Sequence, residues 1–146
     1  MSRGTPEGNS TVSPYLIVAS VEKELEFLQA VFGAETQKQL HNTRGDIWHA
    51  EARIGDTIVM LERARKASPA SPSMLYMWTD DVDAAYTRAL QNAGASVQAP
   101  EDQFYGNREA GIRDPHGNTW WIAHELAKLS NEEIERRLAE QRRQKM

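Results

Sequence analysis

Residues Arg113 to His124 read RDPHGNTWWIAH. An Asp-Pro-x-Gly-Asn run is a tight reversal. It leads straight into Thr119, Trp120, Trp121, Ile122 and Ala123, an apolar and aromatic run that reads as a strand. Side chains alternate along a strand, so the two adjacent tryptophans point to opposite faces. One of those faces packs on the protein and the other is free to line a cavity. The chemistry of that cavity turns on whether a metal sits in it.

Working back from this stretch, Arg108 to Arg113 supplies the other arm of the hairpin. Before it lies PEDQFYGN, Pro100 to Asn107, a loop carrying two aromatics, and before that a short strand, Ser96 to Ala99. Met74 to Thr79 (MLYMWT) is a strand. Asp80 or Asp81 caps a helix whose buried face is Val82, Tyr86, Ala89, Leu90 and Ala93, and Gly94 ends it. The first half of the chain has the same plan. Pro14 to Ala19 is a strand, and Ser20 caps a helix with Val21, Leu25, Leu28 and Phe32 at helical spacing. Gly33 closes that helix. Gln37 to Asn42 is a polar edge strand, and Asn42 to Asp46 carries a turn. Ile47 to Ile54 then alternates, with Trp48, Ala50, Ala52 and Ile54 on one face and His49, Glu51 and Arg53 on the other. Gly55-Asp56 is a hairpin signal, and Thr57 to Leu61 is the partner strand.

The plan repeats at a fixed offset. Val21 and Val82 both open a helix, and Gly33 and Gly94 both close one, 61 residues apart in each case. The same offset carries Tyr15 onto Tyr76 and Met60 onto Trp121. Two copies of strand-helix-strand-strand-strand imply an approximate two-fold axis. The simplest burial pairs their sheets around a shared concave face. The resulting division is a flexible tail over 1–12, a first module over 13–62, a linker over 63–72, a second module over 73–126 and a helical tail over 127–146. In that last segment Ser130 and Glu133 form a capping box, with Leu129 and Ile134 placed as a hydrophobic staple.

Composition narrows the functional classes. A net charge of -4 and a pI near 5.6 give no nucleic-acid footprint. The chain has no cysteine, which removes disulfides, thiolate nucleophiles and cysteine zinc sites together. No apolar run approaches the roughly 20 residues of a membrane span, and the first dozen residues lack the apolar core of a signal peptide. A cytoplasmic protein is expected. Neither a Ser-His-Asp spacing nor a glycine-rich phosphate loop is present.

Three segments carry a family resemblance: PYLIVASVEKELEFLQAVFGAE, HAEARIGDTIVML and DQFYGNREAGIRDPHGNTWWIAH. Together they resemble the vicinal oxygen chelate superfamily of glyoxalase I, bleomycin-resistance proteins and extradiol dioxygenases, over Ser13 to Leu126. The similarity is greatest to its short bacterial glyoxalase-like members. It implies an α+β fold of two βαβββ modules with paired, curled mixed sheets, followed here by a C-terminal helix. It also implies a homodimer, with the barrel formed within one chain or by exchange between chains.

The metal-dependent relatives place His or Gln on the opening strand of each module and Glu on the closing one. Under the resemblance, these positions in the first module fall at Ser13 or Tyr15, and at Met60 or Glu62. In the second they fall at Met74 or Leu75, and at Trp121. A divalent ion needs lone pairs converging at about 2 Å, which methionine, leucine and tryptophan do not offer to Mg, Zn, Ni or Fe(II) here. At best Glu62 alone is in register, so the expectation is no metal and no cofactor. His49 and Glu51, two apart on one strand, are the fallback ligand pair; their other reading is a polar stripe. His124 and Glu125 end the last strand, while His41 and His116 read as solvent residues in turns.

The remaining candidates describe an apolar, aromatic pocket: Tyr15, Trp48, Met60, Tyr76, Trp78, Phe104, Tyr105 and Trp121. Asn107 and Gln103 would add directional hydrogen bonds, and Arg108 a charge. Such a concave surface binds a flat aromatic or amphipathic molecule by stacking and area burial. The other reading of each ring is plain core. Two functions follow. One is metal-free sequestration of a small aromatic or amphipathic compound, in the manner of bleomycin-resistance relatives. The other is a glyoxalase- or dioxygenase-like enzyme using His49, Glu51 and Glu62 on a metal, or Glu62 as an acid-base residue. Nucleic-acid and membrane partners are not expected.

Overall fold

A computed structural model describes residues 4–145. Residues 1–3 of the expected tail, and residue 146, lie outside the described residues. Residues 4–12 run as turns and bends, and Gly8 comes against Arg53 and Ile58 of the first module.

The elements follow in the order β1 (Tyr15–Val18), α1 (Val21–Phe32), β2 (Glu35–His41), β3 (Ile47–Ile54), β4 (Thr57–Arg63), β5 (Met74–Trp78), α2 (Val82–Gln91), β6 (Ala95–Asp102), β7 (Asn107–Arg113), β8 (Thr119–Glu125) and α3 (Asn131–Gln144). Two four-stranded mixed sheets result, ordered β1-β4-β3-β2 and β5-β8-β7-β6. In each, the opening strand pairs in parallel with the closing strand, and the other pairings are antiparallel. This is the α+β architecture of two βαβββ units with a C-terminal helix.

Local chemistry sets the helix ends. Ser20 caps α1 by accepting from the Lys23 N–H, and Asp81 caps α2 by accepting from the Ala84 N–H. Gly33 ends α1 in the left-handed region at φ 67°. The matching end of α2 differs from the sequence expectation. Ala93, not Gly94, takes the positive φ of 69°, and α2 stops at Gln91. Gly94 is needed for closeness instead, because a Cβ there would lie 2.6 Å from the Ala89 carbonyl oxygen. The buried face of α2 is Val82, Ala85 and Ala89, while Leu90 is exposed; Ala85 shares that face because it stands three residues after Val82 and four before Ala89. β6 runs on through Pro100 to Asp102, with irregular register between Gln98 and Glu101. Proline is tolerated there because β6 is an edge strand.

Each sheet is hydrogen-bonded within its own module, and the two sheets pair by packing. The modules join through their helix-bearing sides. Leu16, Val18, Leu61, Ala50 and Ala52 of the first sheet and Ala110, Ile112, Trp120 and Ile122 of the second share one core with both helices. Phe32 of α1 reaches Trp120, with ring centroids 5.0 Å apart. Arg88 of α2 donates to the Val31 carbonyl of α1 at 2.9 Å.

The Asp114–Asn118 turn fastens the same boundary. Buried Asp114 accepts from the backbone N–H groups of His116 (2.9 Å) and Asn118 (3.0 Å), from Asn118 Nδ2 (3.1 Å) and from Trp120 Nε1 (3.0 Å). His116 is not a solvent residue: the turn presses it onto the first turn of α1. Its Nε2 accepts from the Ser20 N–H at 3.3 Å, and its Nδ1 lies 2.8 Å from Glu24 Oε1. Because Nε2 accepts, Nδ1 carries the proton and donates to Glu24; burial pulls the His116 pKa down. Glu24 is fully buried, and its Oε2 has no N–H donor among the described residues. Burial, then a hydrogen bond to Asp114 and the charge of that carboxylate, push the Glu24 carboxyl up to about 10.

α3 lies outside the core and has no buried residue. Ser130 caps it by accepting from the Glu133 N–H at 3.1 Å. The Glu133 side chain turns to Arg136 and Arg137. Arg137 reaches the Phe104 carbonyl at 3.3 Å, and Leu129 packs at Gly106.

Candidate ligand site on the helix-free sheet faces

Alternation assigns each strand residue to the helix side or to the helix-free side. In the first module Tyr15, Met60, Glu51, Glu62 and His49 share the helix-free face: Tyr15 pairs with Met60, Met60 with Glu51, and Glu62 with His49. In the second, Tyr76 pairs with Trp121, and Trp121 with Gly111. Tyr76 and Trp78 stand two apart on β5 and are exposed, with their rings meeting edge-on at 5.4 Å.

Each module closes a tyrosine onto a carboxylate. The Tyr15 hydroxyl donates to Glu62 Oε1 at 2.7 Å. The Tyr76 hydroxyl donates to Glu109 Oε2, and the Tyr105 hydroxyl to Glu109 Oε1 at 2.5 Å. Asn107 Nδ2 donates to the Tyr76 oxygen at 3.2 Å. Partial burial, then the bond to Glu62, pushes the Tyr15 hydroxyl up to about 12. Burial and then Glu109 do the same to Tyr76, to about 12, and also raise Tyr105. All three hydroxyls therefore stay protonated as donors at ordinary pH.

Glu109 was not singled out in the sequence. The 61-residue offset that relates Tyr15 to Tyr76 hides it, since on β7 the offset falls to 60. Glu109 pairs with Ala123, and so occupies the place of His49, which pairs with Glu62. The hairpin turn held the signal. Arg113 opposite Thr119 forces Gly111 opposite Trp121 and Glu109 opposite Ala123, all on one face.

The other predicted residues divide. Trp48 lies on the strand side opposite His49 and is exposed beside it, with centroids 5.7 Å apart. Phe104 packs edge-on to Tyr105 at 5.0 Å. Arg108 is not brought to the helix-free face: it pairs with His124 and forms ion pairs to Asp83 (2.9 Å) and Asp102 (2.8 Å), and those two carboxylates raise its pKa. His124 is likewise turned to the Thr79 carbonyl at 3.0 Å. A cleft of about 530 Å³ opens at the module boundary. Phe32, Ile54, Val59, Leu75, Met77 and Trp120 are among its walls, and neither tyrosine-bound carboxylate is. Tyr76 and Trp78 also line this cleft, while the tyrosine–carboxylate bonds lie on the helix-free sheet faces.

The residues do not fit a metal at the position the fold implies. Tyr15 pairs with Met60 there in the first module, and in the second Trp121 pairs with Tyr76, one or two residues along β5 from Leu75 and Met74. His49 Nε2 bonds Glu51 Oε2 at 3.0 Å, and Glu62 bonds Tyr15. His49, Glu51 and Glu62 do not converge. Among the described residues, three such ligand groups come within 4.8 Å of one another only at Glu24, Asp114 and His116. Asp114 there already accepts from four N–H groups, and the His116 nitrogen free of Glu24 accepts from Ser20. Burial of Glu24 beside Asp114 favours its protonated form, which would make that trio a proton-bonded joint.

With this arrangement in view, the model of the Glyoxalase/Bleomycin resistance protein/Dioxygenase superfamily matches residues 10–122. The chain belongs to that superfamily. It is 30% identical to the uncharacterized protein Mb0911c of Mycobacterium bovis, over 89% of this chain and 93% of that protein. Among solved structures it is similar to TioX from Micromonospora sp. ML1, at TM-score 0.69 and 25% identity, over 81% of this chain and all of that one. It also shares its fold with TnmS3, an antibiotic binding protein from Streptomyces sp. CB03234, at TM-score 0.60 and 23% identity, covering 80% and 97% of the two chains. No described helix of this superfamily member is long and apolar enough to cross a membrane.

One test of the face is local. Gly111 lies under the Trp121 ring, and a Cβ there would stand 2.8 Å from Trp121 Cζ3. Gly111→Ala is expected to tilt that ring off the sheet at a cost of about 1–3 kcal/mol. A changed near-UV circular dichroism spectrum would report it; an unchanged spectrum would place the ring elsewhere.

Proposed function

We propose that this superfamily member is a metal-free binding protein that holds an aromatic or amphipathic small molecule against its helix-free sheet faces, with two copies of the chain completing the cavity. The observation that carries the reading is that Tyr15 pairs with Met60, and Trp121 with Tyr76, so that a phenol, a thioether and an indole stand at Tyr15, Met60 and Trp121, where the resemblance puts ligand atoms in metal-dependent relatives. Rings at these places offer stacking area, and Glu62 and Glu109 each accept from a tyrosine hydroxyl. The antibiotic-binding description of TnmS3, a protein of the same fold, agrees with it. Exposed Met74, Tyr76 and Trp78 along β5 supply apolar surface for a ligand and a second copy to cover.

The alternative is an enzyme in which Glu62 acts as an acid or base, and the Tyr15–Glu62 bond is the observation in its favour. Tryptophan fluorescence titrated with polycyclic aromatic compounds and antibiotics separates the two readings. Saturable quenching with recovery of unaltered compound is expected. Turnover of any bound compound, or a stoichiometric ion in untagged protein that is lost with His49→Ala, would replace sequestration with catalysis. Light scattering is expected to give twice the chain mass.

A further inference from the structure

The two helix-free faces differ in how their charges are opposed. On the first module every carboxylate faces a base across the strands: Glu35 opposes Arg53, Glu51 opposes Lys38, and Glu62 opposes His49. On the second module Glu101 of β6 opposes Glu109 of β7 directly. Like charges opposed in this way repel and weaken a sheet. No ion pair to either carboxylate is present among the described residues, although Arg108 beside Glu109 binds Asp83 and Asp102. The strand-borne cation on this face, Arg113, stands four residues along β7 from Glu109. Tyrosine hydroxyls stabilise the Glu109 charge without cancelling it.

Two further features sit on the same face. Trp121 and Tyr76 form a ring-bearing wall beside Glu109, and Trp78 extends it. Gln98, opposite Gly111, has a buried Nε2 without an acceptor among the described residues. A buried donor left unpaired is costly, and a turn of the Gln98 amide toward the open face would give it an acceptor from water or a ligand.

We infer that the second module selects a planar aromatic cation, a ring system carrying a protonated nitrogen, with the ring on Trp121 and Tyr76 and the cationic N–H at the Glu101–Glu109 pair. The inference rests on the binding role proposed above and adds its charge. The cation relieves the opposed carboxylates, and its positive charge also favours the tryptophan and tyrosine faces. A carbonyl or ether oxygen on the ligand would satisfy Gln98.

The test uses three ring-matched probes with the full chain at low salt and about pH 7.5: 9-aminoacridine as the cation, acridine as the neutral form and acridine-9-carboxylate as the anion. Calorimetric titration is expected to give the order cation, neutral, anion, with about tenfold or more between the first two. The same ratio is expected to shrink on raising salt. Glu101→Gln, at an exposed edge position, and Glu109→Gln are each expected to reduce the ratio while neutral acridine still binds. Equal affinity for cation and neutral probe would overturn the charge inference and leave the binding role standing. Absence of binding by all three would remove both. A cation preference unchanged in both variants would overturn the assignment to this carboxylate pair.

Discussion

Glu24→Gln is expected to stabilise the protein, and to do so more strongly the higher the pH. Glu24 is fully buried beside Asp114, with its pKa pushed up to about 10 from an ordinary 4.5. Folding therefore takes up a proton at any pH between those values. The contribution of this group to stability is fully present below about pH 4.5. It falls as pH rises, by about 1.4 kcal/mol per unit, and is lost by about pH 10. Glutamine keeps the acceptor for His116 Nδ1–H and replaces the acid proton with an amide N–H that can donate to Asp114, at any pH. The gain should be near zero at about pH 4 and on the order of 3–5 kcal/mol at about pH 8. Urea melts of both proteins across that range measure it. Parallel pH profiles would mean that Glu24 folds as a carboxylate, and the proton-bonded joint would be wrong. A divalent cation that restored the wild-type profile would mean the same.

That joint also marks where the sequence stopped being legible. The 61-residue repeat, the caps at Ser20 and Ser130, and the Asp114–Asn118 turn depend on neighbours close in the chain, and each can be read from residue type and spacing. His116 could not. Its turn context is polar and local, but its partners are 92 and 96 residues away on the first module. Glu24 looks like an ordinary helix-surface acid until the second module lands on it. Arg108 failed in a related way: its place beside the Pro100–Asn107 loop, which lies at the pocket mouth under the resemblance, suggests a pocket cation, yet strand alternation turns it toward α2 and Asp83. Glu109 was hidden by a single-residue change of offset on β7, because sheet partnership follows the hairpin register and not the repeat. His116 and Glu24 are fixed by contact between modules, Arg108 and Glu109 by alternation and register inside the second module, and none of these is visible in residue type and spacing along the chain.

The adjacent tryptophans give the second large expected effect, because their neighbours in the chain are nearly the same and their surroundings are opposite. Trp120 is on the helix side, 2% exposed, packed on Phe32 and donating to Asp114. Trp120→Ala opens a cavity at the module boundary and removes one of the donors holding Asp114. A loss of about 3–5 kcal/mol is expected, against about 1–2 kcal/mol for Trp120→Phe, which keeps most of the volume and drops the N–H. Trp121 is half-buried on the helix-free face over Gly111. Trp121→Ala should cost much less stability, about 1 kcal/mol, and yet weaken an aromatic ligand by tenfold or more. Thermal melts and ligand titrations on the same three variants therefore cross: Trp120 changes move the melts and Trp121 moves the titration. Equal melting losses at the two positions would make Trp121 a core ring. The metal position would then be filled with packing instead of a ligand surface, and the sequestering role would lose its principal wall.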